Sequence, residues 1–232
     1  MSETVVNYVI KGFPLIRFNT REVIDITRKG NIRLTSLKKY RDMYKESADE
    51  VIGDPYEGQL YIHSGQVTIF PSGEKRCISD GAIPTINQDD FVLCMFGINP
   101  NKQSFIKFTE KQIKQLADRY DTAMVITDVQ EFGKRLFEAA SNKGLVVRAG
   151  FVSYYNDKVD EGSKLVDLLS NGIENIVFYK RNMYSYQQEF RFTISNQTGD
   201  DFLDLPIGDI TDITEAISTK DIINSEIIQI NK

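Results

Sequence analysis

Residues 16–37 read IRFNTREVIDITRKGNIRLTSL, and how this stretch folds decides the fold class. Ile16 and Phe18 flank Arg17 in the alternation of a short strand. Thr20 stands where a helix N-cap belongs, and Glu22 falls in the first turn, where a carboxylate meets the positive end of the helix dipole. Val23, Ile24 and Ile26 supply an apolar side. Gly30 sits where a C′ glycine ends a helix, because only glycine enters the left-handed region without strain. IRLT, residues 32–35, then resumes strand. The reading is strand, helix, glycine, strand within 22 residues.

Outward from this unit the chain keeps the same mixture. SLKKYRDMYKE leads into a turn-rich loop, VIGDPYEGQ, in which Asp54-Pro55-Tyr56-Glu57-Gly58 carries strong turn chemistry. QLYIHSGQVTIF reads as a hairpin and FVLCMFGI as a buried strand. Thr109 with Gln112, and Thr127 with Gln130, have the form of capping boxes. The second opens a helix with Val129, Phe132, Leu136, Phe137 and Ala140 on one stripe. GLVVRAGFVSYY and IENIVFYK read as strands. The tail gives DFLDLPIGDITDI, a short helix near Thr219, and EIIQI. Short strands outnumber interspersed helices, so the expected fold is α+β with a mixed, largely antiparallel sheet in a single domain spanning 1–232.

Composition narrows function. The 232 residues carry 33 acidic and 28 basic side chains, a net charge of −5, which argues against nucleic-acid binding by bulk charge. Locally, Arg28, Lys29, Arg33, Lys38, Lys39 and Arg41 form a basic run without an acid, either a solvated face or a phosphate contact. The chain has one histidine, His63, which weakens a His-based triad or a two-His metal centre. Cys77 and Cys94 make neither a metal spacing nor a disulfide framework, and no metal is expected. MSETVVNYVI lacks the features of a signal peptide, and no segment has the length of a membrane span, so a cytoplasmic protein is expected.

The chemistry-bearing stretch is YSYQQEFRFTI, residues 184–194. Numbered in twos, Phe190, Phe192 and Ile194 share one face, and Gln187, Glu189, Arg191 and Thr193 share the other. Polar groups on alternate strand positions stand about 7 Å apart, so Gln187 and Glu189 can address two atoms of one ligand. A cation such as Arg191 beside Glu189 favours the ionised carboxylate.

These elements resemble the ADP-ribosyltransferase superfamily. Its first core strand carries a His or Arg that contacts NAD, a later strand a Ser, Thr or Tyr, and a third the catalytic Glu, often within Gln-x-Glu. By position Arg17 matches the first and Gln187-Gln188-Glu189 the last. Ser153 with Tyr154 are candidates for the middle, since a Ser-Thr-Ser run is absent and Ser36 lies too early. A second resemblance, carried by LTSLKKYRD, GDPYEG and YKRNMYSYQQEFR, is to bacterial and phage proteins with an early Asp-Pro-x-Glu loop and a late Glu-Phe-Arg strand.

The resemblance implies an enzyme that uses NAD as substrate and transfers ADP-ribose. Glu189 and Gln187 are then catalytic. Arg17, with Arg33, Ser36, Tyr40, Arg41 and Arg191, contacts the dinucleotide, and Tyr154 or Tyr184 stacks on nicotinamide. The acceptor is nucleic acid or protein. An antitoxin or other regulatory protein is the implied partner of such a toxin or phage-defence effector, with no membrane involved. The alternative is a non-catalytic module of the same fold that holds a nucleotide or a partner.

Overall fold

A computed structural model describes residues 12–49, 53–69, 74–83, 89–98, 105–106, 108–157, 172–224 and 227–228. The opening unit forms as read: β1 (Leu15–Asn19), α1 (Arg21–Arg28) and β2 (Asn31–Ser36). Two details differ. Thr20 holds the N-cap position without a side-chain cap bond. Ile24 and Thr27 are the buried residues of α1, whereas Ile26 is 50% exposed. Gly30 turns the chain with φ +86°, and a Cβ there would lie 1.8 Å from the Gly208 carbonyl oxygen. Gly30→Ala should therefore lose at least about 1–3 kcal/mol, from left-handed strain plus a clash with backbone that cannot yield. Thermal unfolding checks it, and a shift smaller than that of an ordinary surface substitution would contradict it.

The helix α2 (Leu37–Ser47) follows, then β3 (Leu60–Ile69) and β4 (Glu74–Ile83). QLYIHSGQVTIF is thus one long strand of a hairpin, its partner being the next stretch. The side chain of His63 lies outside the described residues. Next come β5 (Phe91–Gly97), β6 (Phe105–Ile106), α3 (Glu110–Ala117), β7 (Thr122–Ile126) and α4 (Val129–Ser141). The Thr109–Gln112 capping box is present in full. At α4 the cap is Asp128, one residue later than the box reading, and Phe137 is 42% exposed. Then follow β8 (Val147–Phe151), β9 (Ser153–Tyr155), β10 (Tyr179–Arg181), β11 (Glu189–Ile194), β12 (Phe202–Pro206), β13 (Thr214–Ser218), α5 (Thr219–Ile223) and β14 (Ile227–Ile228). IENIVF is a 3₁₀ turn, not a strand; only Tyr179–Arg181 after it is extended.

The class is α+β. Eight strands form one sheet whose pairs are antiparallel, in the order β12-β2-β5-β1-β7-β13, with β11 and then β8 joined to the other edge of β5. One face packs under α1 and α4 through Leu15, Leu93, Phe132, Phe190, Phe192 and their neighbours. The other face packs under α3 and α5 through Ile16, Phe96, Phe108, Val125 and Ile222. Among the described residues no helix is long and apolar enough to cross a membrane.

The sheet is forked beside β5. Ser36 and Thr35 of β2 pair with Phe91 and Val92, while Ile16 and Leu15 of β1 pair with Phe96 and Gly97. Leu93, Cys94 and Met95 have no described ladder partner on that edge. Arg17, Phe18 and Asn19 pair only with β7 among the described strands. The fork leaves a gap in which side chains, rather than ladder bonds, fill the space.

Candidate functional site

A cavity of about 350 Å³ occupies this fork. Arg17, Thr35, Cys94 and Phe96 bound it from the sheet, Tyr40 and Glu57 from α2 and the loop after it, and Gln115 and Tyr120 from the α3 side. Lys180, Gln187, Glu189 and Arg191 close the remaining wall. Its size falls within the roughly 300–1,000 Å³ of small-molecule sites.

The strand at 189–194 explains part of this wall. Phe190, Phe192 and Ile194 enter the core, as the alternation requires. Glu189, Arg191 and Thr193 take the opposite face, yet none of them is wet: Arg191 is 1% exposed and Glu189 7%. Gln187 does not belong to the strand. It ends a 3₁₀ turn, Asn182–Gln187, and Gln188 reverses the chain with φ 43° before β11 begins. Gln187 still reaches the cavity, because Lys180 Nζ donates to its Oε1 at 2.7 Å.

Four buried charges form a ring. Lys180 Nζ donates to Glu189 Oε1 at 2.7 Å and lies 3.2 Å from Glu57 Oε2. Arg191 Nε donates to Glu189 Oε2 at 2.7 Å, and its Nη2 lies 2.7 Å from Glu57 Oε1. That last contact is an ion pair without hydrogen-bond geometry. Arg191 Nη1 also donates to the Val177 carbonyl. Burying four charges is costly, and the mutual pairing offsets the cost. Beside the ring, Arg181 donates to Asp54 at 3.0 Å and lies over Tyr56, Tyr61 and Tyr184 at 4.8, 5.6 and 5.3 Å. Both carboxylates of the Asp-Pro-x-Glu turn are therefore clamped to residues 180–191. Gly53 lets this turn lie against α2, since a Cβ there would meet the Tyr44 backbone nitrogen at 2.7 Å.

Protonation follows from these neighbours. Burial alone would raise the Glu189 pKa, but Arg191 and Lys180 outweigh it and bring it from 4.5 down to about 2. Burial opposes charge on Lys180 and Arg191, and Glu189 with Glu57 more than reverses this, so both stay cationic. Asp54 is raised, first by burial and then by Glu57. Burial pushes the Cys94 thiol up to about 12, which leaves it a poor nucleophile. Because Glu189 has a depressed folded pKa, its stabilisation is complete above its ordinary value and is lost as pH falls from about 4.5 toward 2. Urea midpoints between pH 6 and pH 3 should fall steeply in the wild type and less steeply in Glu189→Gln. Equal slopes would remove Glu189 from the acid transition.

Arg17 differs from the other charges of the wall. Its Nη1 is buried without a partner, and no hydrogen bond or ion pair joins Arg17 to a described residue. Burial lowers its pKa; Tyr40, Cys94 and Tyr120 lie within electrostatic reach. An arginine remains protonated under such a shift. The ring is neutral, so Arg17 leaves the cavity with one uncompensated positive charge.

The remaining expected residues fall as follows. Tyr40 lines the cavity, is hydrogen-bonded to Thr35, and has its pKa raised by burial. Ser36 is buried and caps α2 by accepting from Lys39 N. Arg33 lies on the surface, paired with Asp204 at 2.7 Å. Arg41 donates to the Glu57 carbonyl at 2.6 Å and thereby holds the loop. Tyr154 Oη accepts from Glu189 N at 2.9 Å and fixes the start of β11, while Ser153 is exposed. Tyr184 is buried beneath Lys180 and Arg181. Ser36, Arg33, Arg41, Ser153, Tyr154 and Tyr184 thus stand outside the cavity lining, whereas Arg17, Tyr40, Gln187, Glu189 and Arg191 are brought together. Lys180, Thr35, Gln115 and Tyr120 join them without having been singled out. Lys180, which with Arg181 follows the apolar and aromatic run IVFY, carried the readable signal. Among the described residues no group of three or more His, Cys, Asp or Glu side chains is arranged to hold a metal ion. No protein-family model, no curated protein and no solved structure matches this chain.

Proposed function

We propose that the chain is an ADP-ribosyltransferase of the fold family it resembles, binding NAD in the forked cavity and breaking its nicotinamide–ribose bond. The observation that carries this reading is the meeting, in one cavity, of an unpaired Arg17 and a Glu189 held ionised. NAD carries two phosphate charges and one pyridinium charge, so its net charge matches the single unpaired cation. In the reaction the C–N electron pair leaves with neutral nicotinamide, and positive charge develops on the ribose as in glycoside cleavage. The acceptor nucleophile then bonds to the ribose carbon and loses its proton.

Glu189 would accept a ribose hydroxyl and stabilise the developing cation. A carboxylate has about four lone-pair sites, and its bonds to Lys180 and Arg191 leave room for one more donor. Gln187, held by Lys180, would orient Glu189 or the acceptor. A cytoplasmic enzyme of this kind suits a toxin or phage-defence effector acting on nucleic acid or protein under an antitoxin. The test is release of free nicotinamide from NAD by the purified protein. Arg17→Ala should weaken NAD binding by about tenfold or more, the value of a charge-assisted contact. No nicotinamide release under any condition tried, with NAD bound, would leave the second reading.

That second reading is a nucleotide-binding module without catalysis. It is favoured by the fact that both Glu189 oxygens already accept from cations, so the carboxylate serves the ring before any ligand arrives.

A further inference from the structure

Resting on the nucleotide reading above, we infer that Gln115 reads an amino group on the ring of the ligand, and so determines which base the cavity accepts. Gln115 Oε1 is a buried acceptor with no hydrogen-bond partner, and Gln115 lines the cavity. Buried polar atoms are paired in nearly all folded proteins, because an unmet acceptor loses its water and gains nothing. An acceptor left so at a cavity wall is matched by a donor that arrives with the ligand.

The neighbouring glutamine shows what the helix needs for itself. Gln112, one turn earlier on the same side of α3, accepts from Thr109 N at 2.7 Å and donates to the Tyr186 carbonyl at 2.7 Å. Gln112 closes the capping box and ties α3 to the turn before β11, so its amide is spent on the fold. Gln115 has no such duty.

The surroundings choose the kind of donor. Leu116 and Tyr120 share this side of the cavity with Gln115, and Phe18 and Phe96 face it from the sheet. Apolar and aromatic walls suit a flat ring. The chemistry that fits is a ring bearing an –NH₂ donor. Two sources within a dinucleotide carry it: the exocyclic amine of adenine and the carboxamide of nicotinamide. Replacing either by oxygen puts an acceptor against Gln115 Oε1, and a site built for a donor rejects such an analogue.

The experiment is calorimetric binding of two matched pairs. AMP is compared with IMP, and nicotinamide mononucleotide with nicotinic acid mononucleotide, against wild type, Gln115→Leu and Gln115→Glu. In wild type, the amino member of one pair should bind at least about tenfold more tightly, the value of one matched hydrogen bond. In Gln115→Leu the gap should close because the amino compound weakens; in Gln115→Glu, which keeps the acceptor, it should persist. The pair that shows the gap identifies the ring. No gap in either pair, a reversed gap, or a gap that survives in Gln115→Leu with native melting would overturn the inference. Nicotinamide release is read separately, so a protein that discriminates the pairs without cleaving NAD keeps this inference and loses the catalytic one.

Discussion

Replacing Glu57 by Gln should lower the melting temperature by about 10 °C, the consequence of roughly 3–5 kcal/mol lost when one member of a buried ion-pair set is neutralised. Glu57 is 4% exposed and is the second anion facing Lys180 and Arg191. With Gln in its place the ring holds two cations and one carboxylate, and the new amide NH₂ points a donor at a lysine or an arginine that has only donors to offer. All four groups are buried, so solvent screens the excess charge only weakly. Lys180→Met by itself should also destabilise, since it leaves two carboxylates to one guanidinium. The Glu57→Gln, Lys180→Met double variant restores one anion to one cation and should recover part of the loss, giving a coupling of about 1–3 kcal/mol in a double-mutant cycle. Denaturant unfolding of the four proteins decides it. A Glu57→Gln loss below about 1 kcal/mol, or strict additivity, would mean that the ring is not an energetic unit.

This ring marks the boundary of what the sequence made legible. The opening strand-helix-strand unit, the glycine that ends its helix and the Thr109 capping box could be read because each is settled within a few residues. So could the burial of Phe190 and Phe192, which depends only on alternation. Gln187 was placed on the wrong element because Gln188 takes a left-handed conformation, which resets the alternation and costs a non-glycine residue energy that only tertiary contacts repay. IENIVF has the branched composition of a strand but packs as a 3₁₀ turn with Ile176 and Val177 buried, an instance of packing overriding propensity. The joining of Glu57 to Lys180 and Arg191 links the loop after α2 to strands more than a hundred positions away. No local pattern encodes that distance, and the Asp-Pro turn chemistry gave a sufficient local reason for the same residues. Arg33 and Arg41 looked like phosphate ligands for the complementary reason: their partners, Asp204 and the Glu57 carbonyl, come from elsewhere in the chain.

Glu189→Gln should reduce nicotinamide release by about 10²–10³-fold while NAD affinity changes far less, because the interaction it removes grows only as charge develops on the ribose. The substitution keeps shape and one acceptor, so a ribose hydroxyl is still met in the ground state. What is lost is the negative charge of a buried carboxylate, which acts on the transition state through a lower effective dielectric than bulk water. Lys180 and Arg191 retain Glu57 as counterion, but the ring becomes unbalanced, so rates are to be compared well below the melting temperature of the variant. The ring also makes a pH prediction that separates chemistry from folding. Lys180 is one of the two cations that hold the Glu189 pKa near 2. Removing it in Lys180→Met raises that pKa toward the ordinary 4.5, and the acid limb of the rate profile should move to higher pH in the same direction. A purely structural carboxylate would leave the limb where it was while the melting temperature fell. Unchanged release in Glu189→Gln, with the variant folded and NAD bound, would take the carboxylate out of the reaction and leave the cavity as a binding site alone.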